Sequence, residues 1–390
     1  MDTHDKSGLP GPGHEKVSEP PTRRGVLGLA AASMLLGGAA SASARAAPPV
    51  PGSQRHVIVV GGGFCGVTAA RELRECGVRV TLLEARNRLG GRTFTSDFAG
   101  HQVDFGGTWV HWLQPHVWAE ISRYGVALDE TPGAVADRII YLDKQGRRHE
   151  TTAAEQWPRL EKSVSDLFEG GYSIMPRPAE PLADATWMKA DTYSLRQKID
   201  ATPMPDDVRP LVDSMILVWG NAPASEVSWI DMMRWYALTG YNLTVTNDAV
   251  GRFRIAGGTK TLLDAIAADA AADVRLSTPV AAIRQFSTSV EVVTEGGEIL
   301  KADAVICAAP LNILADIAFE PALSPVKLAT SRQRHAGQGT KTHILLEGEY
   351  ANFSGCGPGD DAPINFLLWE GAEDGKTHLI AFGPSADALD

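Results

Sequence analysis

Cysteine is scarce in this 390-residue chain. The 4 present, Cys65, Cys76, Cys307 and Cys356, form no C-x-x-C pair and no Cys/His cluster at ligand spacing. A disulfide framework and a structural metal site are therefore not expected. Cys65 and Cys76 fall at opposite ends of one helical stretch, too far apart to bond. Cys307 falls in an apolar strand, where a buried inert thiol is expected. Positive charge is in deficit as well, with 36 Lys and Arg against 47 Asp and Glu and a formal net charge of −11. A nucleic-acid partner, which needs a basic face, is not expected. No Ser/His/Asp or Cys/His set suggests nucleophilic catalysis. His111 and His116 fit neither a helical metal pair nor a triad and read as structural or surface residues.

Long apolar runs are few. The run Gly25 to Ala40 is short for a bilayer span, but it follows Thr22-Arg23-Arg24 and precedes Ala42-Ser43-Ala44 and Ala44-Arg45-Ala46, each an A-x-A-like cleavage site. Residues 1–47 read as a twin-arginine-type signal and linker, which makes the expected localisation periplasmic or secreted. A Sec signal or a retained anchor is the alternative. The remainder, within a chain that is 44% hydrophobic and 21% charged, has the balance of an ordinary globular protein long enough for two or three domains.

The most informative stretch runs from His56 to Thr95. His56 to Val60 is a short β-branched run suited to a parallel strand buried on both faces. Gly61, Gly63 and Gly66 follow as G-x-G-x-x-G, the pattern of a tight turn, a close pyrophosphate approach and a close helix–strand packing. An amphipathic helix to Cys76 ends at Gly77, and Val78 to Leu83 is a second apolar strand. Glu84 then falls roughly 20 residues past the glycines, where a carboxylate accepts hydrogen bonds from ribose hydroxyls and repels a 2′-phosphate. Strand, turn, helix and acid agree on a dinucleotide.

The next residues are Ala85-Arg86-Asn87-Arg88-Leu89-Gly90-Gly91-Arg92. The block G-x-G-x-x-G, Leu-Glu-Ala, Arg-x-Gly-Gly-Arg resembles the flavin-containing amine oxidase family, monoamine oxidase-like. In that family the second glycine turn holds FAD along its pyrophosphate and ribityl chain. The resemblance implies cofactor contacts at Gly61, Gly63, Gly66, Glu84, Ala85, Arg86, Gly91 and Arg92. It continues through Gly106-Gly107-Thr108-Trp109, where Gly107, Thr108 and Trp109 are implied to pass against the isoalloxazine ring. Without the upstream motif, a turn and a packed tryptophan pair would be the better reading. The run Trp109 to Trp118 is most similar to bacterial oxidoreductases of nicotine and related alkaloid amines.

Farther on, helical patterns at Ala153 to Glu169, Pro205 to Gly220 and Ser225 to Gly240 are joined by linkers at Asp129 to Gly133 and Pro176 to Pro181. Trp219, Trp229, Trp235, Tyr236 and Tyr241 read as core side chains, with a pocket lining as the alternative. Gly257-Gly258-Thr259 opens a helix with Leu262, Leu263 and Ile266 on its buried side. Pro279-Val280 and Ala308-Ala309-Pro310 match the family's later order, which implies that Val280 contacts the adenine and Thr259 lies near the flavin. Thr340 to Leu346 alternates as a strand of a second sheet. There the resemblance implies that Lys341 holds a water against flavin N5; a solvated strand-end lysine is the alternative. Arg332, Arg334 and His335 read as a solvated turn.

The resemblance implies an α/β fold, a Rossmann-like FAD-binding domain of the glutathione-reductase/amine-oxidase type with an inserted α+β substrate domain. Residues 48–128 and 250–322 would form the first domain, and 129–249 and 323–390 the second. The family's third glycine-rich motif has no counterpart before Asp390, so a fragment, or a site completed by a second chain, is expected. The implied activity is oxidation of a small amine to an imine by hydride transfer to FAD, with oxygen or an electron-carrier protein as acceptor. An amino-acid oxidase, a desaturase or a non-catalytic FAD-binding subunit remains open.

Overall fold

A computed structural model describes residues 55–334, 337–357, 359–360 and 362–389. The expected signal at 1–47 and the turn residue His335 lie outside the described residues.

The chain enters through β1 (His56–Val60), whose residues are all buried, then α1 (Phe64–Glu75) and β2 (Arg79–Leu83). Gly77 ends the helix turn at φ +76°, as a left-handed residue must. A hairpin of β3 (Thr95–Phe98) and β4 (His101–Asp104) follows, turning at Ala99-Gly100 with both residues at positive φ. Helix α2 spans Pro115–Tyr124, with proline in its first turn and left-handed Gly125 at its end.

The middle of the chain is less purely helical than its pattern suggests. β5 (Leu128–Glu130) occupies part of the expected 129–133 linker, and β6 (Arg138–Leu142) and β7 (Arg148–Thr152) form a hairpin that the helical reading missed. Thr152 then caps α3 (Ala153–Leu167) in a reciprocal box with Glu155. After the one-turn helix Gly171–Ile174 come α4 (Leu195–Ala201), α5 (Arg209–Gly220), α6 (Trp229–Leu238) and α7 (Leu243–Gly251). Here α5 and α6 start later than their periodicity implies, because Pro205 and Ser228 belong to the approaches rather than the helices. Trp219, Trp229 and Tyr236 are buried in the core of this helical layer, and Tyr241 packs against it, but Trp235 is exposed.

The last third returns through β8 (Phe253–Ile255) and α8 (Thr259–Ala270). β9 (Asp273–Arg275), β10 (Val280–Gln285), β11 (Val290–Thr294), β12 (Ile299–Ala302), β13 (Ala304–Cys307) and β14 (Ala318–Glu320) follow. Helix α9 (Pro325–Gln333) leads to β15 (Thr340–Glu347), β16 (Phe353–Cys356), β17 (Phe366–Glu373) and β18 (Lys376–Gly383).

Three sheets organise these strands. A four-stranded sheet runs β13-β1-β2-β9, all parallel, with α1 and α8 packed together on it. A second runs β12-β11-β10-β14 and shares a core with the first. The third, six-stranded, runs β15-β18-β17-β16-β6-β7 and thus joins strands from both sides of the helical stretch. β5 and β8 pair separately and tie the two regions at Leu128–Glu130.

Cys307 corrects the sequence reading: it is exposed, because β13 forms the edge of its sheet. All 4 cysteines are free thiols. Among the described residues no helix is long and apolar enough to cross a membrane.

Candidate functional site

Two glycine turns face one another at the end of the parallel sheet. Gly63 bridges Gly90, and the Gly90 N–H donates to the Gly62 carbonyl at 2.9 Å. A Cβ on Gly63 would meet nothing nearer than Gly90 O and Gly91 Cα at 3.9 Å, and Gly91 is left-handed at φ +61°. Gly66, by contrast, has no room, since a Cβ there would run into the Gly61 carbonyl oxygen. α1 begins on Gly63, which has no side chain to cap its first-turn N–H groups. The result is a side-chain-free trough of main-chain amides at a helix N-terminus, which suits a pyrophosphate.

Glu84 closes one side of the trough. It is buried, with Oε2 accepting from the Gly62 N–H at 2.7 Å and Oε1 from the Arg86 N–H at 2.9 Å. Its carboxylate therefore fixes the first turn to the second, with lone pairs left for ribose hydroxyls. Ala85, Arg86 and Arg92 are exposed along the rim, and an Arg86 guanidinium N–H reaches the Gly91 carbonyl at 3.3 Å. Arg88, which the sequence reading passed over, staples this turn from behind by donating to the Leu89 and Thr93 carbonyls at 3.1 Å. Val280 begins β10 opposite Thr294, and the preceding Thr278 N–H donates to the Glu84 carbonyl at 2.8 Å.

The trough leads by the β3–β4 hairpin to a second cluster. Gly107 N–H donates to the Arg92 carbonyl at 3.1 Å, so the Gly106-Gly107 turn lies directly against the second glycine turn. Lys341, near the start of β15, reaches over from the six-stranded sheet. Its ammonium donates to Thr108 Oγ1 and to the Gly106 carbonyl, and sits 4.8 Å from the Trp109 ring centroid. Burial pushes the Lys341 amine down to about 8, with Arg254 adding to the effect and Asp104 and Glu370 opposing it. A solvated strand-end lysine is therefore not what the structure contains.

Lys341 faces a cavity of about 80 Å³ that also touches Asp104, Thr108, Arg254, His343 and Glu370. Burial raises the Glu370 carboxyl, against the pull of Arg254 and Lys341. Thr259 lies at the base of this region, fully engaged with Asp104: its N–H donates to Oδ1 at 3.1 Å and its hydroxyl to the same oxygen at 2.8 Å. Asp104 thus caps α8 from another strand. Beyond Trp109, ring contacts continue to Phe382 at 5.9 Å and from there to Phe366 at 6.3 Å. This aromatic row borders a smaller cavity lined by Leu217, Val218, Thr340 and Asn365. The Asn365 side chain is buried with neither amide atom hydrogen-bonded.

The structure thus brings Gly61, Gly63, Gly66, Glu84 and Gly91 into one trough, and Gly107, Thr108, Trp109 and Lys341 into one chamber. Asp104, Arg254, Glu370 and Asn365 were not singled out from sequence. Asp104 precedes a glycine pair, which is a weak signal; Arg254 and Glu370 sit in ordinary strand patterns whose meaning depends on long-range pairing, and Asn365 lies in the connection just before β17. His111 is buried, its ring tilted against that of Trp112 with centroids 3.7 Å apart, whereas His116 is exposed, so neither joins the chamber. Among the described residues no His, Cys, Asp and Glu group could hold a metal ion.

The family model described as flavin containing amine oxidoreductase matches residues 64–390. Pseudooxynicotine dehydrogenase of Pseudomonas sp is 36% identical over 336 residues, covering 85% of this chain and 67% of that protein. Nicotine dehydrogenase of Pseudomonas putida (strain DSM 28022 / S16) is 35% identical over 288 residues, covering 74% of this chain and 60% of that protein. A triple mutant of putrescine oxidase superposes with a TM-score of 0.71 at 23% identity, over 86% of this chain and 76% of that one, which shows the shared fold. This chain therefore spans between three-fifths and about two-thirds of the curated relatives just named. Trough, chamber and comparisons agree: the chain belongs to the flavin-containing amine oxidoreductases, FAD-dependent enzymes that act on carbon–nitrogen bonds.

Proposed function

We propose that this protein oxidises a small alkaloid or secondary amine to an imine. The observation that carries this reading is Lys341, half-buried on the β15 strand and aimed at the Gly106–Trp109 turn. FAD, when bound, supplies the hydride acceptor. The chain's own residues do the rest. Gly63, Gly66 and Gly91 would offer main-chain amides to the pyrophosphate, with Gly61, whose own N–H donates to the Leu83 carbonyl, making the tight turn, and Glu84 would accept from the ribose hydroxyls; Ala85, Arg86, Arg92, Val280 and Thr259 border the same path. Gly107, Thr108 and Trp109 shape the chamber's wall, and Lys341 orients water and exchanges protons there.

Trp109, Phe382 and Phe366 offer an apolar surface that favours an uncharged amine over its ammonium form. Asn365, with both amide atoms unengaged, offers a donor and an acceptor for a polar group at the substrate's far end. An amino-acid oxidase would need a guanidinium available for the substrate carboxylate. The arginine at the chamber, Arg254, is already paired with Glu370, which favours the amine reading.

The test is a side-by-side assay of nicotine-like amines, polyamines and amino acids, with oxygen and a cytochrome as alternative acceptors. Turnover of a cyclic or secondary amine is expected, and activity confined to amino acids would overturn the proposal. Export is proposed from the Arg23-Arg24 leader, and fractionation of cells expressing the Arg23→Lys, Arg24→Lys variant checks it: the variant should stay in the cytoplasm.

A further inference from the structure

Glu370 stands at a register shift in β17, between Trp369 and Gly371, where pairing with β18 slips. Such a bulge turns a side chain out of the alternating pattern and is common beside active sites. Here it carries a carboxylate into the protein, 3% exposed. One oxygen, Oε2, takes the Arg254 guanidinium; the other, Oε1, is buried and has no hydrogen-bond partner in the protein. A buried carboxylate oxygen without a donor is costly, so it calls for water or a proton. The cavity beside it supplies room: about 80 Å³ is well above the ~10–15 Å³ that one water requires. Lys341 lines the same cavity, and exposed Gln102 and Asp129 line its outer part.

We propose that Glu370 and water in this cavity form a proton relay that takes protons from Lys341 and passes them to solvent past Asp129. This rests on the amine-oxidase reading, in which the reacting amine must first lose its extra proton. The substrate ammonium N–H bond breaks and a new N–H bond forms on neutral Lys341. Lys341 then gives a proton to cavity water, which protonates Glu370 Oε1, and that O–H later gives its proton to solvent. No atom changes oxidation state in these steps. The opposite displacements of Lys341 and Glu370 support exchange, because burial brings both towards neutrality. Asp104 from β4, Arg254 from β8, His343 from β15 and Asp129 from β5 complete the charged and titratable wall. Glu370 is thus a positioning residue acting through Lys341.

The experiment follows acetylation of Lys341 by acetic anhydride against pH, read by peptide mass spectrometry, in the full-length wild type and Glu370→Gln. Loss of the neighbouring charge should lower the half-point by about one pH unit. The pH profile of amine oxidation should move the same way, and Glu370→Asp should restore both in part. Equal half-points in folded wild type and Glu370→Gln would overturn the relay. Should Glu370→Gln not fold, the Arg254→Gln, Glu370→Gln pair is read against Arg254→Gln alone, with the same fall expected and an unchanged half-point contradicting it. Acetylation needs no turnover, so a shifted half-point without amine oxidation would sink the functional reading and keep the coupling, whereas turnover without a shift would do the reverse.

Discussion

Lys341 holds its ammonium 4.8 Å from the centre of the Trp109 ring while donating to the Gly106 carbonyl, so a six-stranded-sheet cation closes over the turn that leaves the nucleotide region. The pairing gives a lysine so far into the interior its partners, while desolvation by burial brings its amine down to about 8 from the ordinary 10.5. Since the folded value lies below the unfolded one, the unfolded chain binds more protons between those two pH values. The burden of burying Lys341 is therefore full below about pH 8 and fades as the pH rises to 10.5. Lys341→Met should be more stable than wild type at neutral pH, by up to about 3 kcal/mol less the lost contacts, with the gap closing in alkali. Urea unfolding at several pH values measures this. Amine turnover should fall roughly 100-fold in the same variant.

Asp104 joins three segments by accepting from the Thr259 N–H, the Thr259 hydroxyl and the Thr95 hydroxyl. Asp104→Ala leaves these donors buried and uncaps α8, so a loss of about 2–4 kcal/mol is expected in urea unfolding. Asp104→Asn, which keeps an acceptor, should lose less than half of that.

Gly66→Ala places a methyl against the Gly61 carbonyl at the tightest point of the nucleotide turn. The variant should purify with less than about a tenth of the wild-type flavin. Gly100→Ala is the control: its φ is +89°, but a Cβ there meets nothing within 4 Å, so only a local strain of about 1 kcal/mol is expected and the flavin should remain.

His343 and His378 meet at 3.0 Å between ring nitrogens, beside Phe98 and Phe105. Burial, reinforced by His343 and His101, lowers His378 to about 4, below the ordinary 6.5. Between these values the unfolded chain binds more protons, so the stability this pair contributes is present above pH 6.5 and is lost as pH falls towards 4. His378→Gln should flatten the acid limb of the stability curve by on the order of 1 kcal/mol, because solvent screens the partly exposed ring, as thermal unfolding from pH 7 to 4 will show.

The nucleotide end was readable from sequence because its determinants are local. Gly61, Gly63, Gly66 and Glu84 sit within one strand–helix–strand unit whose spacing is itself the geometry. The chamber was not. Arg254 and Glu370 are far apart in sequence, and Glu370 gains its place from a bulge that no alternation pattern announces. The β6–β7 hairpin was hidden because Arg148 to Thr152 is polar, a strand only by virtue of pairing with β6 at the sheet edge. Cys307 was read as buried from an apolar run, but the strand lies at an edge, which composition cannot reveal.

Anaerobic mixing of the purified yellow protein with a cyclic secondary amine, followed by absorbance of the bound flavin, tests the proposed chemistry most directly. The flavin band should bleach in wild type, and Glu370→Gln should bleach with a displaced pH profile. A colourless protein, or a flavin band that no amine changes, would contradict it.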